Sequence, residues 1–201
     1  MSSDILQGYY ELRNNIIAPK QIIINDGEIN CVYNTGVLAS DVCELSVRME
    51  IPRFPVSNNN DEFEYSWPKF VGTHILKSAS IDDYNVEKKS SLELSIDEVL
   101  FHPANRFQNE CSRKMLGDVP ELTSIKKILP AYTIFLPLLD GGIRKEIRER
   151  NRELIITCRF IKDLSVILCS YQDGNKVNTP ASYSIPLKIP RLLITHAIKV
   201  E

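Results

Sequence analysis

The sequence lacks the short motifs by which most catalytic and metal-binding sites are recognised. It has no Gly-x-Ser-x-Gly motif, no Cys-x-x-Cys pair and no His-x-His pair, and its histidines, His74, His102 and His196, are far apart. No glycine-rich loop that could hold a phosphate precedes a helical pattern. We therefore expect no catalytic residue, no cofactor, no metal and no small-molecule substrate, and we predict that the chain is not an enzyme.

The chain also lacks an excess of basic residues and any long apolar run. Its 24 lysines and arginines are balanced by 26 aspartates and glutamates, and the resulting net charge of −2 argues against binding to a nucleic-acid backbone. Its longest apolar runs fall far short of the roughly 20 residues of a membrane-spanning helix. Residues 1–8 carry neither a basic segment nor an apolar core, so we expect no secretory signal and no membrane insertion.

The cysteines lack the spacing of disulfide frameworks or zinc sites. There are five, an odd number, at positions Cys31, Cys43, Cys111, Cys158 and Cys169. All except Cys111 lie in apolar runs typical of strands, where a thiol behaves as a small hydrophobic group. The simplest interpretation is a set of free thiols in a reducing compartment.

What the sequence does contain is apolar alternation with a period of two. Leu45, Val47, Met49 and Ile51 alternate with polar residues, which is typical of a strand with one buried face, and Pro52 ends that strand. Further strands are predicted at residues 21–24, 28–33, 72–81, 91–96, 131–138, 154–160, 165–171, 182–189 and 192–200, separated by turn signals at 25–27, 34–36, 140–142 and 173–175. Many short strands joined by such turns indicate an antiparallel sandwich or barrel.

Two segments break the strand pattern, and one of them, Ile143–Arg152, is rich in Arg, Lys and Glu and is expected to form a short exposed helix or a charged loop. Asn105–Leu116 is rich in helix formers, and Gly117 follows it as a C-terminal stop, so a single helix is predicted between the strands. No internal repeat or linker is visible, and we expect one domain over residues 1–201.

Four segments then resemble a known family. They are Gly36–Pro52, Met115–Leu122, Ile134–Leu139 and Arg152–Ile156. In this order they are similar to segments of the jelly-roll major capsid proteins of nucleocytoplasmic large DNA viruses: an alternating strand that ends at Ile-Pro, the segment after the inserted helix, a Phe-Leu-Pro-Leu strand and a later strand entry. Those proteins carry two tandem jelly rolls, whereas this chain has room for one.

The resemblance implies an all-β fold, an antiparallel jelly-roll β-sandwich with one inserted helix. It also implies a structural subunit, either major capsid-like or a minor or vertex protein, that assembles with other capsid subunits into an icosahedral shell. The expected oligomer is a homotrimer or homopentamer. The expected location is the virion, assembled in the host cytoplasm.

Two features are candidates for subunit contact. The charged run that contains Arg144, Arg148 and Arg152 could bind an acidic neighbour, or it could be a solvated face with local ion pairs. Trp67, in an aromatic stretch with Phe63 and Tyr65, could anchor an interface, or it could plug one end of the sandwich.

Two other functions fit the same fold class. A carbohydrate-binding module would use Trp67 or Tyr84 as an aromatic platform for a glycan, whereas a cupin-like enzyme would need clustered histidines that this sequence does not show. The loop with Asp82, Asp83, Asn85 and Glu87 offers oxygen ligands for Ca²⁺, but exposed acidic turns are commoner.

Overall fold

The computed structural model describes residues 9–37, 42–55, 62–82, 84–86, 113–138 and 153–200. Its strands are β1 (Tyr9–Ile17), β2 (Gln21–Asn25), β3 (Glu28–Val37), β4 (Val42–Ile51), β5 (Glu64–Ser66), β6 (Leu76–Ile81), β7 (Tyr84–Val86), β8 (Tyr132–Pro137), β9 (Glu153–Ile161), β10 (Cys169–Gln172), β11 (Asn175–Val177) and β12 (Arg191–Val200). Its helices include α1 (Val71–Ile75), α2 (Pro120–Thr123) and a 3-10 helix (Leu164–Ile167), besides the helix end at residues 113–116. No helix in these ranges has the length and apolar character needed to span a bilayer.

The strands form two main antiparallel sheets with nested pairing. The four-stranded sheet has the order β1-β12-β4-β8, and the five-stranded sheet has the order β2-β3-β9-β6-β7. The pairs β1–β12, β3–β9, β4–β8 and β6–β7 lie one inside the next along the sequence, as in a long hairpin rolled into two layers. This nesting is the jelly-roll topology, and the predicted all-β antiparallel fold is confirmed.

Two further groups of strands lie outside the nested pairs of the jelly roll. Strand β2 adds a fifth strand beside β3, and β11-β10-β5 forms a separate three-stranded sheet. The β10–β11 hairpin turns at Asp173 and Gly174, whose φ values of +50° and +76° fit a type I′ turn. The predicted turn at residues 173–175 is therefore confirmed.

The core lies between the two main sheets. The predicted inward set on β4 is confirmed, since Leu45, Val47, Met49 and Ile51 are at most 1% exposed. The inward side chains of β3, β6, β8, β9 and β12 belong to the same buried cluster. A single apolar cluster shared by both sheets is what a face-to-face sandwich requires. Tyr33 on β3 also donates its hydroxyl to the Pro190 carbonyl (2.9 Å), which links the two layers.

The chain after the predicted helix makes a tight helix end. Residues 113–116 are helical, and residues 105–112 lie outside the described residues. The Asp118 N–H donates to Arg113 O (2.8 Å) and the Gly117 N–H donates to Lys114 O (3.2 Å), which is the Schellman pattern. Gly117 has the left-handed φ of +80° that this pattern needs, so its predicted role as a helix stop is confirmed. Arg113 Nε and Asp118 Oδ2, 2.8 Å apart, close the same turn.

This helix end packs directly on β8. A Cβ on Gly117 would lie 2.6 Å from Val71 Cγ1 and 3.1 Å from Ile134 Cδ1. A Cβ on Gly72 would lie 2.9 Å from Ile134 Cγ2. Two glycines thus allow α1 and the helix end to approach the same isoleucine on β8.

Some predicted strands are wrong in part. The strand expected at residues 72–81 begins only at Leu76, because the N–H and the hydroxyl of Thr73 both donate to Phe70 O (2.9 Å each) and the chain turns as α1. The predicted turn at residues 34–36 is instead an irregularity within β3, where the Gly36 N–H donates to Asn34 Oδ1 (2.8 Å). Strand β1 was not predicted.

The segment after β11 also differs from its prediction. Residues 182–189 form no regular strand; Ser184 and Ile185 bond the carboxylate of Asp163, and the Leu187 N–H donates to Lys162 O. Asp163 also caps the 3-10 helix by accepting the Ser165 N–H (2.8 Å), so the strand predicted at residues 165–171 is reduced to β10. In both places hydrogen bonds to the Asp163 carboxylate take the place of a regular strand ladder.

Candidate functional site

The predicted subunit-contact residues fall in two different situations. Arg144, Arg148 and Arg152 lie outside the described residues. Trp67 is only 1% exposed and belongs to the hydrophobic core. Their contact with neighbouring subunits stays a prediction.

Trp67 is held between β5 and α2. It follows β5 directly, and its backbone N–H donates to Leu122 O (2.8 Å) just inside α2. Its indole Nε1–H is buried and finds no acceptor among the described residues. Such a donor is costly to bury, which indicates that packing of the large ring dominates this position.

A cluster of three aromatic rings lies at the three-stranded sheet, around Tyr65 of β5. Phe54 contacts Tyr65 and Tyr183 edge to face, with ring centroids 4.9 and 5.3 Å apart, and the Tyr65 and Tyr183 centroids are 6.0 Å apart. The hydroxyls of Tyr65 and Tyr183 are 2.8 Å apart. The edge-to-face geometry and the shared hydrogen bond fix the segment around Tyr183 against β5.

A cleft of about 420 Å³ opens next to Tyr183. Its walls come from the 3-10 helix, from β11 and from the segment 178–181, and Lys176 is the one charged side chain among its described lining residues. Thr179 joins the walls, because its hydroxyl donates to Leu168 O (2.9 Å) and lies 3.0 Å from Ser170 Oγ. The cleft has polar walls and a single positive charge, but it holds no acid–base pair among these residues.

An exposed apolar surface lies along the outer edge of β2. All five residues of β2 are exposed, with Ile22, Ile23 and Ile24 at 43%, 42% and 57%. Strand β2 pairs with β3 on one side, and no described strand pairs with its other side. Unpaired backbone groups beside an apolar surface form a template for another strand.

Sequence reasoning predicted β2 as a strand but did not identify it as a contact surface. The signal was present, since three consecutive isoleucines occupy both faces of a five-residue strand with no charge between residues 21 and 25. Such a run is usually taken for a strand that is buried on both faces.

The buried thiols do not form a reactive site. Cys31 on β3 and Cys158 on β9 are register partners and both are 0% exposed free cysteines. Burial raises the pKa of Cys158 to about 12, and burial also raises the pKa of Cys31. Because the thiolate is the nucleophile, these groups are inert at neutral pH and act as core side chains.

The acidic and histidine candidates are dispersed. His74 lies in α1 and His196 in β12, whereas His102, Asp83 and Glu87 lie outside the described residues. Within the described ranges, no group of three or more His, Cys, Asp or Glu side chains is arranged to hold a metal ion.

Asp82 itself has a structural role near the start of β9. Its Oδ1 accepts the Ile155 N–H (2.9 Å), and its own N–H donates to Ile155 O (2.6 Å). The left-handed φ of +50° at Asp82 fits the turn between β6 and β7.

Comparison with protein-family models gives no match, and comparison with curated proteins gives none either. Comparison with solved structures gives a match to VP54 of PBCV-1, in a crystal structure fitted into a cryo-EM reconstruction of the virophage Sputnik. The match covers 98% of this chain and 45% of the VP54 chain, with 9% sequence identity and a TM-score of 0.49. This chain therefore spans less than half the length of that protein, and the fold assignment rests on the strand topology.

Proposed function

We propose that this chain is a structural subunit of a viral capsid, one jelly-roll domain over residues 1–201 that assembles with other capsid subunits into an icosahedral shell. The proposed location is the virion, with assembly in the host cytoplasm. The proposal combines the observed jelly-roll topology with the resemblance of four sequence segments to the major capsid proteins of nucleocytoplasmic large DNA viruses.

The observation that carries the proposal is that these four segments meet in the fold. Segment Gly36–Pro52 contains β4, which pairs with β8 of segment Ile134–Leu139, and Met49 is the register partner of Ile134. Segment Met115–Leu122 supplies Gly117, which packs against Ile134. Val37, in the first of these segments, pairs with Glu153 at the start of segment Arg152–Ile156. The resemblance therefore falls on contacting parts of one structural unit.

The architecture suits a shell for physical reasons. Two packed sheets make a rigid unit whose connecting loops can vary without disturbing the core. Closed assembly needs complementary side faces rather than a catalytic pocket.

The carbohydrate-binding alternative has less support. Its platform residue Trp67 is 1% exposed and cannot present a ring face to a sugar without rearrangement of the core. The other named platform residue, Tyr84, begins β7. The carbohydrate-binding alternative therefore rests on Tyr84 or on the cleft beside Tyr183.

The test is the solution mass of the purified chain, measured by light scattering behind a sizing column over a range of concentrations. We expect three or five times the monomer mass of 22.9 kDa, with ring-shaped particles in electron micrographs. A monomer at every concentration, together with saturable binding of a glycan, would contradict the capsid proposal and favour the alternative.

The proposed contact residues are tested in the same assay. Reversal of charge in the double variant Arg144→Glu/Arg148→Glu should reduce the oligomer and leave the melting temperature unchanged. Trp67→Ala should lower the melting temperature because the ring is buried. The interface prediction for Trp67 requires that the oligomeric state also changes when the variant is still folded; an unchanged oligomer would remove Trp67 from the interface.

A further inference from the structure

The free edge of β2 has a sequence that is symmetric about its central residue. We propose that β2 pairs with β2 of a second copy of this chain, antiparallel and centred on Ile23, so that two five-stranded sheets join into one continuous sheet. The contact is isologous and two-fold, so it goes beyond the proposed capsomer, which has three-fold or five-fold symmetry.

The first argument is that this edge is available and unprotected. In the described part of the chain, β2 is the end strand of its sheet and pairs with β3 alone. Natural edge strands are commonly protected by a charged side chain or a proline within the strand. Between residues 21 and 25 there is neither, and every residue is exposed.

The second argument is that the edge is complementary to itself. In an antiparallel pair centred on Ile23, Ile22 lies opposite Ile24 of the second copy, and Ile23 lies opposite its own equivalent. Gln21 lies opposite Asn25, so polar amides meet polar amides at both ends. A pairing centred on any other residue would place an isoleucine opposite a polar side chain.

The third argument is charge complementarity at the ends of the strand. Lys20 directly precedes β2 and Asp26 is the first residue of the β2–β3 turn, so the same register brings Lys20 of one copy towards Asp26 of the other just beyond the paired strands, and the two-fold axis repeats this pair. Both side chains are exposed. Opposite charges directly across a strand pair stabilise it, whereas like charges destabilise it. The two flanking charges therefore select the antiparallel register centred on Ile23.

The fourth argument concerns the faces of the sheet. Ile22 and Ile24 are register partners of Cys31 and Ile29, so they project to the face that forms the core. They are nevertheless about half exposed, because the core does not extend over β2. Pairing of two copies would bring four isoleucines together on this face and would continue the apolar layer from one copy into the next.

A second copy fits this edge better than an unrelated strand does. An unrelated partner would place no symmetry requirement on β2, whereas β2 and its flanking residues carry a symmetric pattern of charge, amide, isoleucine, amide and charge that a second antiparallel copy matches at both ends. Because β2 lies outside the paired strands that define the roll, such a contact leaves the fold of each copy unchanged.

The charge-exchange experiment tests the register. Lys20→Glu places two acids opposite each other, and Asp26→Lys places two lysines opposite each other, so each variant alone should weaken the two-fold contact about tenfold. The double variant Lys20→Glu/Asp26→Lys restores opposite charges and should recover affinity close to that of the wild type. Sedimentation equilibrium over a range of concentrations measures the dissociation constants.

Mixing the two single variants gives a sharper outcome. Chains with Lys20→Glu and chains with Asp26→Lys are mismatched with themselves but complementary to each other at both ends of the strand. Native mass spectrometry of an equimolar mixture should therefore show the mixed dimer in large excess over either homodimer. A statistical mixture of species would overturn the register.

The apolar part of the contact is tested by Ile23→Lys, which adds a protective charge at the centre of the edge and should abolish the two-fold contact. The matched control is Ile155→Lys, on β9 of the same sheet, since Ile155 is 50% exposed but lies on a central strand. The control should assemble as the wild type does, and circular dichroism checks that both variants are folded.

Two results would overturn the inference. One is a wild-type chain that shows no two-fold association at any concentration, and the other is an association that resists Lys20→Glu, Asp26→Lys and Ile23→Lys. Neither result bears on the capsid proposal, because trimers or pentamers formed through other faces would persist. Conversely, a β2 dimer without higher oligomers would support this contact and count against the capsomer.

Discussion

Strands β9 and β2 belong to the same sheet and are both rich in apolar residues, but their environments are opposite. Along β9, alternate side chains are buried, and Ile156, Cys158 and Phe160 are 0% exposed. Along β2, every side chain is exposed, including three isoleucines. Strand β9 has a neighbour on each side, whereas β2 has a neighbour on one side among the described strands.

The difference teaches that position in the sheet, rather than apolar content, sets burial in this fold. Ile155 on β9 is 50% exposed although its neighbours Leu154 and Ile156 are buried, because alternate side chains of a strand point to opposite faces. At β2 the covering layer stops, as far as the structure describes the chain, and even Ile22 and Ile24 on the core-facing side remain exposed. The buried set therefore determines stability, and the exposed set is available for assembly.

The largest effect should come from removing one isoleucine from each strand. Ile156→Ala in β9 should lower the free energy of unfolding by about 2–5 kcal/mol, because it leaves a cavity in a fully buried site. Ile23→Ala in β2 should lower it by less than about 1 kcal/mol, since that side chain is already partly solvated. Urea denaturation of dilute protein measures both. Equal losses of unfolding free energy in the two variants would contradict the conclusion that position in the sheet sets burial.

The next prediction compares two glycines that share a left-handed backbone but differ in surroundings. Gly117 has φ of +80° and has Val71 and Ile134 against it, whereas Gly27, in the β2–β3 turn, has φ of +83° and nothing within 4 Å of an added Cβ. Gly27→Ala should therefore cost about 1 kcal/mol from backbone strain alone. Gly117→Ala adds overpacking and should cost about 2–4 kcal/mol.

The two variants can be compared in one thermal-unfolding series. A double variant Gly117→Ala/Val71→Ala removes the side chain that lies at 2.6 Å and so tests the origin of the larger effect. If contact with Val71 is the cause, the two changes together should cost less than the sum of their separate effects. Additive losses would assign the effect to the backbone instead.

The outline of the fold could be predicted from the sequence because strand alternation is a local signal. The inward set from Leu45 to Ile51 follows from period two, and the turn at Asp173–Gly174 follows from turn chemistry. Gly117 was likewise predictable as a helix stop, because few other residues adopt its backbone conformation.

The parts that were missed depend on contacts between distant residues. Residues 182–189 were predicted as a strand, but Asp163, far away in sequence, takes the backbone N–H of Ile185. The exposure of β2 likewise depends on where the opposite layer ends, which no window of the sequence contains. At the candidate site, Trp67 was predicted as a contact residue, and its burial depends on core residues from distant parts of the chain.

Two ion pairs repeat the comparison between a buried and an exposed site, with smaller expected effects on stability. Arg113 and Asp118 close the helix end, and the Asp118 side chain is only 3% exposed, whereas Lys188 and Glu50 are 68% and 41% exposed. Arg113→Met should cost about 1–2 kcal/mol because it removes the cation from a buried carboxylate. Lys188→Met should cost less than about 0.5 kcal/mol. Urea denaturation at low and high salt distinguishes the two ion pairs, because salt weakens the exposed Lys188–Glu50 pair more than the Arg113–Asp118 pair.

A comparably small effect is expected at the end of β9, where Asp163 joins the strand to the segment around Ile185. Partial burial by itself would raise the pKa of Asp163, but N–H donors from Ile185 and Ser165 and the Ser184 hydroxyl outweigh it and lower the pKa from 3.8 to about 2. The charged form is thus favoured in the folded chain. Its contribution to stability is present above pH 4 and is lost as the pH falls from about 4 through 2.

Asp163→Asn removes this titration while keeping an acceptor oxygen at the same place. Because Asp163 is partly solvated, we expect the wild type to lose only about 1 kcal/mol more than this variant between pH 5 and pH 2. The control is Asp173→Asn, in the exposed β10–β11 turn, where asparagine also tolerates the left-handed backbone. Urea denaturation at each pH gives the three curves. If Asp163→Asn follows the wild type and the control down to pH 2, the hydrogen bonds at Asp163 do not favour its charged form, and the connection between β9 and the segment around Ile185 depends on backbone hydrogen bonds and packing.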